Sequence, residues 1–184
     1  MSKEDTRARI IETFRELAAT KSLDKITVLD ISEKCGITSQ TFYNHFSDKY
    51  DLLQTLHNAR FDEVCDNVNN RQLSWEKGIC EYLKGFSLFS RFIVNAYGKI
   101  VDEDSYMTRA SAHMVQKMCS SYEKRSGKKT DDDLLFAIKL YADGMLCSIY
   151  KWLTEEDRMS EQELARYIYI AIPRIVVERF TETN

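Results

Sequence analysis

A chain of 184 residues with one proline (Pro173) and six glycines has little with which to reverse its direction. Sandwiches and barrels need turn residues at every hairpin, positions that call for glycine, proline or a residue tolerant of positive φ. The chain is therefore expected to be all-α, with about nine helices and few connections between them. Its 43% hydrophobic and 30% charged residues are enough for amphipathic helices around a sizeable core. No apolar run reaches the roughly 18 residues that a bilayer span needs. The start, MSKEDTRAR, carries both signs of charge with no apolar stretch behind it, so no signal peptide and no membrane association are expected. Cys35, Cys65, Cys80, Cys119 and Cys147 are odd in number, widely spaced and without a CxxC pair. They read as free thiols of a reducing compartment, which places the protein in the cytoplasm.

The most informative stretch is residues 36–53, GITSQTFYNHFSDKYDLL. Before it, Ile11, Phe14, Leu17 and Ala18 give a first helix over Thr6–Lys21 its apolar face. Thr27, with Asp30 three residues on, reads as a capping box opening a second helix that buries Val28, Ile31 and Cys35. Gly36 ends that helix by taking positive φ. Thr38 then caps a third helix, Ser39 to about Phe46, whose Phe42 and Phe46 share the core face. Ser39, Gln40, Thr41, Tyr43 and Asn44 are left on other faces. Two helices around a glycine turn, with a third ahead of them, form the helix-turn-helix arrangement, and the polar third helix is suited to the major groove of double-stranded DNA.

The charge distribution constrains how such a helix could bind. Residues 1–50 hold eight Lys/Arg and eight Asp/Glu, a net charge of zero. Phosphate contact must then come from a few placed cations, hydroxyls and helix N-termini, with a modest salt dependence.

Ser47 or Asp48 starts a long fourth helix to about Asn70, its inward stripe running from Tyr50 and Leu53 to Val68. It carries the chain from an N-terminal DNA-binding domain, residues 1–48, into a helical effector-binding and dimerisation domain, residues 49–184. There, Trp75–Lys84 forms a helix, Gly85 marks a break or bend, and Phe86–Tyr97 forms a very apolar one. Further helices cover Asp104–Arg125, Leu134–Leu153 and Ser160 to about Phe180, the last opened by a Ser160/Glu163 capping box and kinked at Pro173. The last two are apolar on more than one face. The second face needs a partner, and a homodimer through these two helices supplies it.

Residues 26–53, ITVLDISEKCGITSQTFYNHFSDKYDLL, resemble the DNA-binding domain of the TetR family of one-component bacterial regulators. The shared pattern is a hydroxyl cap, the Gly-Ile-Thr turn, Thr-aromatic-Tyr-x-His-Phe and a lysine one turn on. The YADGMLCSIYKWL stretch (residues 141–153) further resembles the dihydroxyacetone-kinase-operon regulators within that family. Where many of that subgroup carry a basic residue ahead of Gln-Thr-Phe-Tyr, this chain has Ser39.

The resemblance implies a ligand-responsive transcriptional repressor that binds a near-palindromic operator as a dimer. Thr27 and Thr38 would cap helices whose N-termini face phosphates. Ser39, Gln40 and Thr41 would meet base edges, Gln40 pairing with adenine and Thr41 meeting a thymine methyl or a phosphate, with Asn44 an extra reader. Tyr43, His45 and Lys49 resemble the family's phosphate contacts; for His45 a structural hydrogen bond is an equal alternative. An unknown small-molecule effector would bind inside the second domain. Candidate lining residues there are Phe86, Phe89 and Tyr97, then His113, Met114 and Met118, then Tyr141.

Two other classes stand beside this one: a co-regulator of the same fold that acts through a protein partner, and a small helical enzyme or carrier. His45, His57 and His113 lack the paired spacing of a metal site, and no cofactor is expected. Phosphate loops, nucleophile elbows and HExxH are absent from the sequence, so catalysis is not expected.

Overall fold

The computed structural model describes residues 2–21, 25–88 and 106–181. Among them are nine helices and no strand, as the scarcity of turn residues demands. The helices are α1 (Lys3–Thr20), α2 (Val28–Cys35), α3 (Ser39–Tyr43), α4 (Lys49–Asn69), α5 (Trp75–Leu88), α6 (Tyr106–Ser126), α7 (Asp132–Thr154), α8 (Glu161–Ile170) and α9 (Arg174–Thr181). The chain divides into two compact units, residues 1–56 and 57–184, and the division falls inside α4.

In the first unit, α1 begins earlier than its apolar pattern suggests. Ser2 caps it, its hydroxyl accepting from the Asp5 amide at 3.1 Å while the Asp5 carboxylate accepts from the Ser2 amide at 2.9 Å. Its buried face is Thr6, Ile10 and Phe14. Ile11, Leu17 and Ala18, the expected face, are only half-buried. Thr6 can join the core because its hydroxyl donates to the Ser2 carbonyl at 3.2 Å, so its burial leaves no hydrogen bond unmade. Helix α2 buries Ile31, Ser32 and Cys35, while Val28 is half-exposed.

Gly36 closes α2 in the left-handed region at φ 67°. The fully buried Phe42 lies against Phe46, their ring centroids 5.8 Å apart. Burying one such ring contributes about 2–3 kcal/mol. Helix α3 is shorter than expected: regular helix ends at Tyr43, and the His45 amide donates to the Phe42 carbonyl three residues back, a tightened turn. The Asp48 carboxylate then takes the Tyr50 and Asp51 amides at 2.7 and 2.8 Å and starts α4.

In the second unit, α6 buries Tyr106, Ala110, Met114, Met118 and Tyr122, a strict four-residue stripe. This stripe packs with α7, which buries Leu134, Ile138, Ala142, Leu146 and Ile149 among others. Helix α5 continues unbroken through Gly85, where a break or bend was expected, and packs against α8. The expected helix Phe86–Tyr97 is described only as far as Leu88; its remainder, with Phe89 and Tyr97, lies outside the described residues. Pro173 does more than kink the last helix. It separates α8 from α9, since a proline has no amide proton to offer and its ring disfavours helix in the residue before it. Ser160 and Glu163 form the expected capping box of α8.

Helix ends in this unit are tied by side chains that donate to carbonyls: Trp152 Nε1 to Met159 at 2.7 Å, Tyr141 Oη to Ile168 at 3.0 Å and Arg125 Nη2 to Phe180 at 3.0 Å. No helix among the described residues is long and apolar enough to cross a membrane.

Candidate nucleic-acid interface and inner pocket

The first unit presents three short polar elements: the start of α2, α3, and the start of α4. At the first, the Thr27 hydroxyl accepts from the Asp30 amide at 3.1 Å, and the Asp30 carboxylate accepts from the Thr27 amide and hydroxyl, both at 2.7 Å. The other oxygen of Asp30 takes the Lys21 ammonium at 2.9 Å. Lys21, then Thr27, hold the Asp30 carboxyl far below the usual carboxylate range. Lys21 is therefore committed to Asp30.

At the second element, Thr38 accepts the Thr41 amide at 3.1 Å and shares a 2.9 Å hydroxyl–hydroxyl hydrogen bond with Thr41. Gln40 and Asn44, four residues apart and both exposed, bond at 3.4 Å. Each amide keeps capacity beyond that bond. Tyr43 is 52% exposed; its ring sits edge-on to Phe42 at 5.6 Å, and its hydroxyl makes no hydrogen bond among the described residues. Ser39 and His45 are half-buried.

At the third, Lys49 Nζ donates to the Ile26 carbonyl at 2.8 Å, which seats its charge beside the Thr27 cap. An ammonium has three donors, and this carbonyl takes one. Thr27 and Lys49 are thus brought to one corner of the unit, while Thr38, Ser39, Gln40, Thr41, Tyr43 and Asn44 belong to α3 and its caps.

Most other cations here are engaged. Arg7 donates to Thr55 at 3.3 Å and lies 4.8 Å over the Phe46 ring, Arg9 donates to the Cys35 carbonyl, and Arg15 and Lys34 pair with Glu12 and Glu16. Among the described residues only Lys3 and Lys25 of this unit have no partner. Lys25 is exposed and stands two residues before the α2 cap, adjoining the Ile26 that Lys49 contacts. No spacing rule singles it out in sequence; it becomes apparent only when the other cations near the α2 cap, Lys21 and Lys49, are seen to be engaged.

The second unit contains a narrow apolar pocket of about 50 Å³ between α4, α5, α6, α7 and α9. Of the expected lining residues it brings together Met114, Met118 and Tyr141. Phe86 is buried elsewhere, stacked on His57 at 4.7 Å. Burial lowers the His57 pKa to about 3, so this imidazole is neutral. His113 faces away from the pocket, its Nε2 2.9 Å from the Asp62 carboxylate. Phe61, Val64, Ile79, Tyr82 and Phe180 complete much of the wall. They come from distant helices whose meeting no local pattern records.

On the outside of this unit, α7 and α8 leave Phe136 (69%), Leu140 (63%) and Ile170 (67%) exposed. Cys147, the exposed one of the five free thiols, lies two turns along α7 from Leu140 on the same face.

A polar helix set behind a glycine turn, with hydroxyl-capped neighbours and a compact apolar core, defines a helix-turn-helix DNA-binding unit. Residues 10–56 match the family model for bacterial regulatory proteins of the tetR family. The chain is 23% identical over 146 residues, 78% of its own length and 76% of the relative's, to the HTH-type dhaKLM operon transcriptional activator DhaS of Lactococcus lactis subsp. lactis (strain IL1403). Its fold is shared with the solved dihydroxyacetone kinase operon activator DhaS (TM-score 0.57, 19% identity, 96% of this chain and 97% of that one). It is also shared with Thermus thermophilus FadR, a TetR-family repressor solved with lauroyl-CoA (TM-score 0.63, 15% identity, 94% of each chain). Residues 10–56 thus carry a DNA-binding domain of the tetR-family type, on a fold shared with TetR-family regulators.

Proposed function

We propose that the protein is a ligand-responsive repressor that binds a near-palindromic operator as a homodimer in the cytoplasm. The observation that carries this is the exposed polar face of α3 inside a TetR-family domain: Gln40, Tyr43 and Asn44 all reach solvent. In this reading Ser39, Gln40, Thr41 and Asn44 meet base edges, and Tyr43 and His45 position the backbone. Lys49 and, newly, Lys25 meet phosphates flanking the Thr27 and Thr38 caps. Residues 1–48 form the DNA-binding domain, and residues 49–184 dimerise through the α7–α8 face and hold the effector. DhaS is named an activator and FadR a repressor, so the direction of control has to be measured on this chain's own promoter.

The test is a gel-shift and protection series on an inverted repeat from the DNA flanking the gene. Gln40→Ala should change base preference, Tyr43→Phe and Lys25→Ala should weaken binding to every sequence alike, and a promoter reporter should rise when the gene is deleted. If Gln40→Ala, Tyr43→Phe and Lys49→Ala all bind like the parent, α3 is not the reader. If no fragment is retained but a protein co-purifies, the chain acts as a co-regulator.

A further inference from the structure

We propose that the inner pocket takes a compact, uncharged and predominantly apolar molecule, admitted by movement of the methionines on α6 and α7. This rests on the reading that the second unit holds an effector site.

The wall chemistry sets the class. Val64, Ile79, Met114, Met118 and Phe180 offer only carbon and thioether surface. Three of the polar side chains that line the pocket are already engaged with protein partners. Asn69 Nδ2 donates to Ser121 Oγ at 3.1 Å, and the Tyr141 hydroxyl donates to the Ile168 carbonyl at 3.0 Å. Burial pushes the Cys65 thiol up to about 12, so it stays neutral and supplies no charge.

No charged side chain is among the described lining residues. The charged groups on the neighbouring turns of α4 and α6 satisfy one another instead, His113 with Asp62 at 2.9 Å and Lys117 with Asp66 at 2.8 Å. An ionised ligand would leave water without finding a counter-ion, and a polyol would lose hydrogen bonds that these walls cannot replace.

The dimensions set the mode of entry. Dry cavities that hold benzene measure about 150 Å³, and this one offers about 50 Å³. The wall between α4 and α5 is closely packed: a Cβ added at Gly78 would stand 2.7 Å from Val68 Cγ2 and 3.2 Å from Val64 Cγ1. On the opposite side stand Met114 and Met118 of α6 and Met145 of α7. An unbranched thioether with three rotatable bonds changes shape at low cost. Occupation therefore displaces α6 and α7 side chains, not those between α4 and α5.

The experiment uses the full chain with ¹³C-methyl methionine and four probes: benzene, phenol, benzoate and glycerol. Benzene and phenol should shift the methyl signals of Met114, Met118 and Met145 saturably, at about millimolar affinity for molecules of this size, and leave Met107 and Met159 in place. Benzoate should bind at least about tenfold more weakly than benzene, and glycerol should do nothing. The double variant Met114→Leu, Met118→Leu, close in volume but stiffer, should lose benzene binding about tenfold while unfolding cooperatively. Unmoved methionine signals with benzene at its solubility limit would overturn the proposal, as would benzoate or glycerol shifting the same three methyls. Operator retention, measured separately, tests the regulatory reading: a protein that takes benzene yet never binds DNA refutes regulation and leaves the pocket's chemistry standing.

Discussion

Gly36 holds φ at 67° with open space around it, the nearest atom to an added Cβ being Arg9 Nη2 at 3.9 Å. Gly36→Ala therefore meets no neighbouring side chain but forces a Cβ-bearing residue into the left-handed region, a backbone strain that should cost about 1–2 kcal/mol in a urea titration. The Thr27 hydroxyl caps α2, and Thr27→Ala should cost about 1 kcal/mol. His57 carries a pH prediction of definite sign. Burial lowers its pKa to about 3, against about 6.5 for an exposed histidine. Between those values the unfolded chain binds a proton that the folded chain refuses. Its effect on stability is absent above the unfolded pKa and destabilising as pH falls below it, with a slope of up to about 1.4 kcal/mol per pH unit. His57→Phe, an aromatic replacement against Phe86 and Tyr106, should flatten the loss between pH 6.5 and 4; parallel stability curves for parent and variant would refute it.

At the scale of elements, what was legible in the sequence is what is decided within four residues. The Thr27, Thr38 and Ser160 caps and the Gly36 reversal are closed by atoms three or four positions away, so residue type and spacing suffice to find them. Burial register is different. Ile10 and Ile11 both lie within one turn of Phe14, four and three residues before it, so local spacing does not choose between them; Ile10 is the buried one, on a helix that packs with α2. Gly85 was misread because a glycine's cost in a helix is small beside the packing of Tyr82, Leu83 and Phe86 around it. Within the DNA-binding unit, Lys25 is not legible in the sequence because its significance lies in the engagement of its neighbours Lys21 and Lys49. The pocket was half-visible: Met114 and Met118 follow from the α6 stripe, whereas Val64, Ile79 and Phe180 require knowing which helices meet. The α7–α8 face yields its own prediction. Leu140→Glu or Ile170→Glu places a charge where a second copy is proposed to dock, and sedimentation should show monomer at concentrations where the parent is a dimer. An unchanged mass for both variants would move the interface elsewhere.

For the whole molecule, the chain has a formal charge of −3, and its first 50 residues are electrically neutral. Binding must then depend on few counter-ions. With Lys25 and Lys49 as the phosphate-facing cations of each subunit, a dimer neutralises about four phosphates, and log K should fall against log salt with a slope near −4. Lys25→Ala removes two of those contacts and should reduce the slope by about 2 without changing which sequence is preferred. Equal slopes for parent and variant would return Lys25 to the ordinary surface.

The position of Cys147 has a practical use. It is the exposed thiol of the five, on the α7 face that carries Phe136 and Leu140. With the α7–α8 face as the proposed dimer seam, a maleimide fluorophore should couple there selectively, and fastest in dilute solution where such a dimer dissociates. Its labelling rate against protein concentration would give the association constant of the native chain, and repeating the titration with operator present would show how strongly DNA holds the pair together.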